Sequence, residues 1–312
     1  MTHKPVVVIG AGPSALTAAI YTTREDIPTV LYEKGVVGGM AAITDKIDNY
    51  PGFPDGVEGM KLAMQLQSQA ERFGAEIEFG EVTALRRVED YIELQIDGKP
   101  VTAESVLIAT GSSHKKTGVP GEDEFYGRGV HYCATCDGAF YREKRLAVIG
   151  GGNSAVQEAI FLTRFASHVE LLVRSTVKAS EVLQKELQKH IDAGAITVHL
   201  GAVPQEITSR DGVVTGVQVE RAGESRHVAA DGVFVFIGLN PNTGFLAGSG
   251  VELDAQGLVK TNDKLATNIP GVFACGDVRS GATMQIASAV GEGAIAALSI
   301  REYLEEKHRQ SA

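Results

Sequence analysis

The chain has 312 residues, 44% of them apolar and 22% charged, and 29 Lys and Arg against 39 Asp and Glu leave a net charge of -10. That balance supplies a sizeable core, excludes disorder as the main state, favours two domains over one, and makes nucleic acid or an anionic membrane a poor partner. No apolar run approaches the ~20 residues of a spanning helix and no secretory pattern opens the sequence, so a cytoplasmic location is expected.

In chain order, the first signal is a β-branched run at residues 6–9, expected to be a buried parallel strand, that leads into Gly10-Ala-Gly12-Pro13-Ser14-Ala15 and a helical pattern. The first glycine permits a tight turn and the second lets backbone approach a pyrophosphate. The helix start supplies N–H groups, and Ala15 allows close helix–strand contact. Twenty-one residues past Gly12, Glu33 closes a predicted strand over 29–33, the spacing at which a carboxylate bonds a ribose diol. Asp97-Gly98 signals a hairpin, followed by a strand at 106–109.

Shifting the chain against itself by 140 positions lays residues 146–161 over 6–21, with Gly10/Gly150, Gly12/Gly152, Ser14/Ser154 and Ala15/Ala155 identical. This second unit continues with a strand at 169–173, turns at Asp211-Gly212 and Ala222-Gly223, and a strand at 233–237. Each copy is a βαβ unit with a small antiparallel addition. Residues 244–259 read as loop-rich. An apolar strand over 271–278 ends at Gly276-Asp277, whose carboxylate could reach a ribityl or phosphate oxygen, and 290–293 reads as a helix start forming a second anion cradle. An amphipathic helix with a charged end at 301–309 closes the chain. The second copy is expected to be an insertion. The first domain is then 1–114 with 245–312 and the second 115–244, with candidate hinges at 115–121 and 238–244.

Three cysteines cannot staple a chain of this length, and two of them form Cys133-Ala-Thr-Cys136, followed by Asp137. Two thiols at this spacing can close a short disulfide, and the carboxyl beside them can exchange the proton that thiol chemistry needs. A zinc site would need a second Cys or His pair, and none is present, so no metal is expected. His114, His131, His168, His190, His199 and His227 show no ligand spacing and receive no role.

The segment GVHYCATCDGAFY at 129–141, together with GAGPSA, Asn49-Tyr50-Pro51-Gly52-Phe53, Ala109-Thr110-Gly111, residues 236–238 and ACGDV at 274–278, resembles the low-molecular-weight thioredoxin reductases over essentially the whole chain. The resemblance implies an α/β fold of two Rossmann-like, three-layer ββα nucleotide-binding domains, the second inserted into the first. It implies a homodimer with FAD held by Gly10, Gly12, Pro13, Ser14, Ala15, Glu33, Gly39, Met40, Asn49, Ala109, Thr110, Gly111, Gly276, Asp277, Met284, Gln285 and Ile286. By position, Cys136 faces the flavin, Cys133 attacks the thioredoxin disulfide and Asp137 is the acid/base, while the two domains rotate to present the dithiol to each partner in turn. Cys275 stands where the family has alanine and reads as a small buried side chain.

The pyridine-nucleotide candidates are Gly150, Gly152, Asn153, Ser154, Arg174 and Lys178, and here the sequence departs from the family. Val173 occupies the place of Glu33, so nothing supports NADH. The family's His-Arg-Arg-x-x-x-Arg run reads Val173-Arg174-Ser175-Thr176-Val177-Lys178, which keeps one arginine and offers Lys178 as a partial substitute. A charge-assisted bond to a 2'-phosphate contributes roughly 1.5–3 kcal/mol, so losing one or two weakens NADPH binding by about 10- to 10⁴-fold. Met40 replaces a family glutamine and Met284 an arginine. These losses place ferredoxin narrowly ahead of NADPH as donor, with roughly 6 kcal/mol available per electron pair between typical ferredoxin and thioredoxin potentials. Lys115, Lys116, Arg128, Arg142, Lys144 and Arg145 could form a basic docking surface, although an ordinary solvated face is the preferred reading. The alternatives are an NADPH-dependent reductase, an O2-dependent dithiol oxidase, and a non-catalytic flavin-bound sensor.

Overall fold

The computed structural model describes residues 2–44, 46–47 and 49–311. It divides into a unit formed by Met1–Ser113 with Asn240–Ala312 and a unit formed by His114–Leu239. The second crossing therefore lies at Leu239/Asn240, five residues before the expected boundary. Asn242 explains this: its amide donates to Thr110 O at 2.8 Å, its N–H donates to Gly111 O at 3.1 Å, and its carbonyl accepts from Thr110 Oγ1 at 2.8 Å.

In the discontinuous unit the strand Thr2–Ile9 lies in parallel between Thr29–Glu33 and Lys99–Ile108. Glu76–Phe79 extends the sheet on one side. Lys99–Ile108 is longer than the expected 106–109. Its first half pairs antiparallel with Tyr91–Ile96 through the Asp97-Gly98 hairpin, and its second half pairs in parallel with Val272–Ala274. The pleat sends alternate residues of the first strand to opposite faces. Val6 and Val8 meet the helices Pro13–Arg24, Gly59–Arg72 and Ile286–Ser311 on one side, where Leu16, Leu62 and Ile300 are buried with them. Val7 and Ile9 meet Leu85, Ile92 and Leu94 of the antiparallel strands, with Leu246 and Val259, on the other.

The second unit repeats the plan. Its parallel sheet runs Val130–His131, Gly232–Val235, Arg145–Ile149, His168–Val173, Ile196–Leu200. The helices Asn153–Leu162 and Glu181–Asp192 cover one face through Val148, Leu171, Ala155, Leu162 and Leu187. The antiparallel strands Val203–Arg210, Val213–Arg221 and Glu224–Ala229 cover the other through Ala147, Ile149, Ile207 and Val217. Their turns at Asp211-Gly212 and Ala222-Gly223 place both residues at positive φ, the mirror-image turn that matches strand twist in a two-residue hairpin. The chain is thus an α/β protein with two Rossmann-like domains. No helix among the described residues is long and apolar enough to cross a membrane.

Candidate active site

Gly10 turns the first strand toward the helix with φ +102°, and a Cβ there would stand 2.6 Å from Ala109 O, so only glycine fits. Gly12 caps the helix Pro13–Arg24, and a Cβ added to it would meet nothing within 4 Å, leaving the helix N-terminus open for an anion. Pro13 takes the first helical position, where its missing N–H costs nothing. Glu33 Oε2 accepts the Ala11 N–H at 2.8 Å and Oε1 accepts that of Gly35 at 2.7 Å, so this carboxylate ties the glycine loop to the segment that carries Gly39 and Met40. Each oxygen keeps a lone pair for a ligand hydroxyl. Asn49 Nδ2 donates to Gln285 Oε1 at 3.1 Å, joining predicted residues from opposite ends of the chain, and Met284 takes φ +57° just before the helix that begins at Ile286.

Because that helix begins at Ile286, residues 290–293 lie inside it, and the expected second anion cradle there is not formed. Their N–H groups belong to helical turns, and the glycine serves packing instead: a Cβ on Gly293 would lie 2.3 Å from Ser14 O. Between the two glycines, Glu292 is a site residue that the sequence reading missed. It is 8% exposed, accepts the Gly276 N–H at 2.7 Å, and takes Arg279 Nε at 3.1 Å and Nη2 at 2.6 Å. The Gly276-Asp277 turn is thereby held against the helix, and the strand expected over 271–278 stops at Ala274 before a 3₁₀ turn. Burial, with Glu292 beside it, pushes the Asp277 carboxyl up to about 6. Cys275 is fully buried, and desolvation pushes its thiol up to about 12. An open helix start, a carboxylate at the end of the second strand and a desolvated carboxyl at Asp277 together fit a dinucleotide such as FAD.

In the second unit Gly150 donates to Leu172 O at 3.0 Å, as Gly10 does to Tyr32 O at 2.8 Å, and Gly152 caps Asn153–Leu162 with Ser154 exposed. Asn153 Oδ1 accepts the Ser180 N–H at 2.8 Å, and the Lys178 N–H donates to Gly151 O at 2.6 Å, which folds the loop after Val173 over the glycines. Val173 itself is buried. Arg174 and Lys178 are exposed, and neither has an ion-pair partner among the described residues.

Cys133 and Cys136 form a disulfide with Cα atoms 5.3 Å apart, and Cys133 Sγ accepts the Cys136 N–H at 3.2 Å as the cap of the short helix Ala134–Asp137. Asp137 Oδ2 lies 3.1 Å from His131 Nδ1, and His131 Nε2 lies 2.7 Å from the Tyr141 hydroxyl. His131, left without a role by its lack of ligand spacing, is thus the direct neighbour of the predicted acid. It is buried on the strand Val130–His131, with its ring stacked 5.2 Å from that of Phe234. Among the described residues no group of three or more His, Cys, Asp or Glu side chains could hold a metal ion.

A further missed residue is Glu122, 1% exposed, which accepts from Thr117 N at 3.0 Å, Thr117 Oγ1 at 2.8 Å, Gly118 N at 2.7 Å and the Tyr132 hydroxyl at 2.8 Å. It fastens the segment expected to be the first hinge. Of the basic residues, Lys116 pairs with Asp123 at 2.6 Å, Arg145 pairs with Glu170, and Arg128 and Arg142 lie over Phe125 and Phe165.

Residues 4–293 match the family described as pyridine nucleotide-disulphide oxidoreductase. The thioredoxin reductase of Bacillus subtilis is 39% identical over 304 residues, covering 96% of this chain and 95% of that one. That of Treponema pallidum is 38% identical over 307 residues, 97% and 98% of the two chains. The crystal structure of thioredoxin reductase from Streptococcus pyogenes, 38% identical, superposes with a TM-score of 0.92 over 98% of this chain and 99% of that one. With the glycine loops and the disulfide in place, this chain belongs to the pyridine nucleotide-disulphide oxidoreductase family.

Proposed function

We propose that the protein is an FAD-dependent disulfide reductase whose Cys133–Cys136 pair reduces thioredoxin. The observation that carries this reading is the Cys133–Cys136 disulfide followed directly by Asp137, whose carboxylate lies 3.1 Å from His131 Nδ1. Bound FAD supplies two-electron redox chemistry, and Gly10, Gly12, Glu33 and Asp277 are the residues to hold it. In the reduced state the Cys133 thiolate attacks one sulfur of the thioredoxin disulfide and releases the other as a thiolate. Cys136 then attacks Cys133 Sγ in the mixed disulfide and displaces the second thioredoxin sulfur as a thiolate, so thioredoxin gains two electrons and, with two protons, leaves as a dithiol while Cys133–Cys136 closes. Asp137 exchanges the proton at Cys136, the residue before it in the chain. The FAD-binding unit, the inserted unit and a homodimeric assembly belong to the same reading.

For the donor we propose NADPH, bound more weakly than a complete arginine run would allow. Arg174 and Lys178 support this, since both are exposed on the loop folded over the second glycine turn and neither is neutralised by a carboxylate. Ferredoxin is the second reading, favoured by Ser175 at the family's second arginine, although Asp123 and Glu170 already neutralise two residues of its candidate docking surface. Anaerobic titration with NADPH, NADH and reduced ferredoxin, read by flavin absorbance and by thioredoxin thiols formed, separates them. NADPH should bleach the flavin, and Arg174→Ala should raise the concentration needed by about 10- to 100-fold. Bleaching by ferredoxin with none by NADPH overturns the donor assignment. Peroxide formed from a small dithiol, without thioredoxin reduction, overturns the thioredoxin assignment in favour of a dithiol oxidase.

A further inference from the structure

We propose that His131 is a positioning residue that shares the proton of Asp137, so that Asp137, His131 and Tyr141 form a relay serving the Cys133–Cys136 disulfide. The proposal rests on the reading of Asp137 as proton donor to that pair and adds the group placed to hand it the proton. Both imidazole nitrogens have a polar partner, Nδ1 at 3.1 Å from Asp137 Oδ2 and Nε2 at 2.7 Å from the Tyr141 hydroxyl. The ring cannot swing free, because it is buried and wedged between Phe234, stacked at 5.2 Å, and Tyr141, whose ring meets it edge-on at 5.4 Å.

Three titratable groups face the pair besides the cysteines. Tyr126 and Tyr141 are both held protonated by burial, Tyr141 pushed up to about 12, and Asp231 adds its charge on the Tyr141 side. Tyr141 therefore keeps its hydroxyl proton at any pH of interest. It accepts from Nε2–H when the imidazole is charged and donates to bare Nε2 when it is neutral. Nδ1 lies within 3.1 Å of the carboxylate, close enough for a proton to pass between the imidazole and Asp137.

The chemistry can be written with an external dithiol as reductant. A reagent thiolate bonds to Cys133 Sγ, the S–S bond breaks, and Cys136 leaves as a thiolate that takes the shared proton. The second reagent sulfur then displaces Cys133, which is protonated from solvent. The reagent loses two electrons and two protons and closes its own disulfide, the two cysteines gain them as thiols, and the pair recovers its proton from water.

The test uses the full-length protein with its flavin bound. Dithiothreitol opens the disulfide across a pH series, the thiols are trapped by alkylation and counted by mass, and the rate is expressed per reagent thiolate. In His131→Phe, which keeps the ring stack, the inflection should move to lower pH and opening at pH 7 should slow by about 10- to 100-fold. His131→Asn, which can still donate to Asp137 but cannot carry a proton, must show the same shift and serves if His131→Phe does not fold. Folded His131 variants with the wild-type profile, alongside a flattened profile in Asp137→Asn, overturn the relay and leave Asp137 as donor. An unchanged profile in Asp137→Asn overturns both readings.

Discussion

Gly293→Ala separates two meanings of a glycine in the long C-terminal helix, close packing and anion binding. The added Cβ would lie 2.3 Å from Ser14 O and 3.0 Å from Thr17 Cβ, on the helix that follows the first glycine loop. Ordinary contact begins at 3.4 Å, so the two helices must separate by about 1 Å at a point where backbone faces backbone and no side chain can yield. Overpacking of this kind costs about 1–3 kcal/mol, which for a unit of this size lowers the thermal midpoint by about 2–10 °C. Ser14 sits in the first turn of Pro13–Arg24, so the same displacement moves the N–H groups proposed to hold the pyrophosphate, and flavin retention should fall together with stability. The assay is thermal unfolding of flavin-depleted and flavin-loaded protein, with bound flavin measured after gel filtration. A flavin-depleted variant that melts with wild type but no longer retains flavin would refute the packing argument and return Gly293 to a ligand-binding role.

Asp277 carries a pH prediction. Its carboxyl is raised to about 6 in the native state, so between pH ~4 and 6 the unfolded chain has released a proton that the native state still holds. Flavin-depleted protein should lose stability as pH rises through that window and Asp277→Asn should not; parallel urea midpoints for the two would count against it. Glu122→Leu removes the acceptor of four hydrogen bonds from Thr117, Gly118 and Tyr132, and should cost about 3–5 kcal/mol with faster proteolysis at 115–121; a loss under ~0.5 kcal/mol would refute the clasp. Cys275→Ala should keep full turnover at a cost of about 1 kcal/mol, and in wild type the buried Cys275 should resist alkylation until the chain unfolds; native-state labelling would contradict its burial.

Much of the architecture was legible because its signals are local. The two glycine turns, Ala15 and Ala155, the Asp97-Gly98 and Asp211-Gly212 hairpins and the Cys133–Cys136 spacing each lie within a few residues, and their backbone demands follow from residue type alone. The readings that failed used signals with two physical meanings. Gly291-Glu292-Gly293 marks close backbone approach, but whether to a phosphate or to a neighbouring helix depends on what lies opposite, and Ser14 of the first helix lies there. Strand ends were misplaced for a related reason: Lys99–Ile108 gains its first half from Tyr91–Ile96, a partner that residue type does not announce.

By itself, then, the sequence determined the two-copy α/β plan, the glycine turns and the pairing of two thiols with a neighbouring acid, since period and spacing along a chain are properties of the chain. Only the tertiary structure decided that His131 meets Asp137, that Glu122 fastens Thr117 and Gly118, and that Asn49 meets Gln285. A buried polar group must find its partner wherever the fold brings one within about 3 Å, and that meeting is set by packing rather than by position in the sequence.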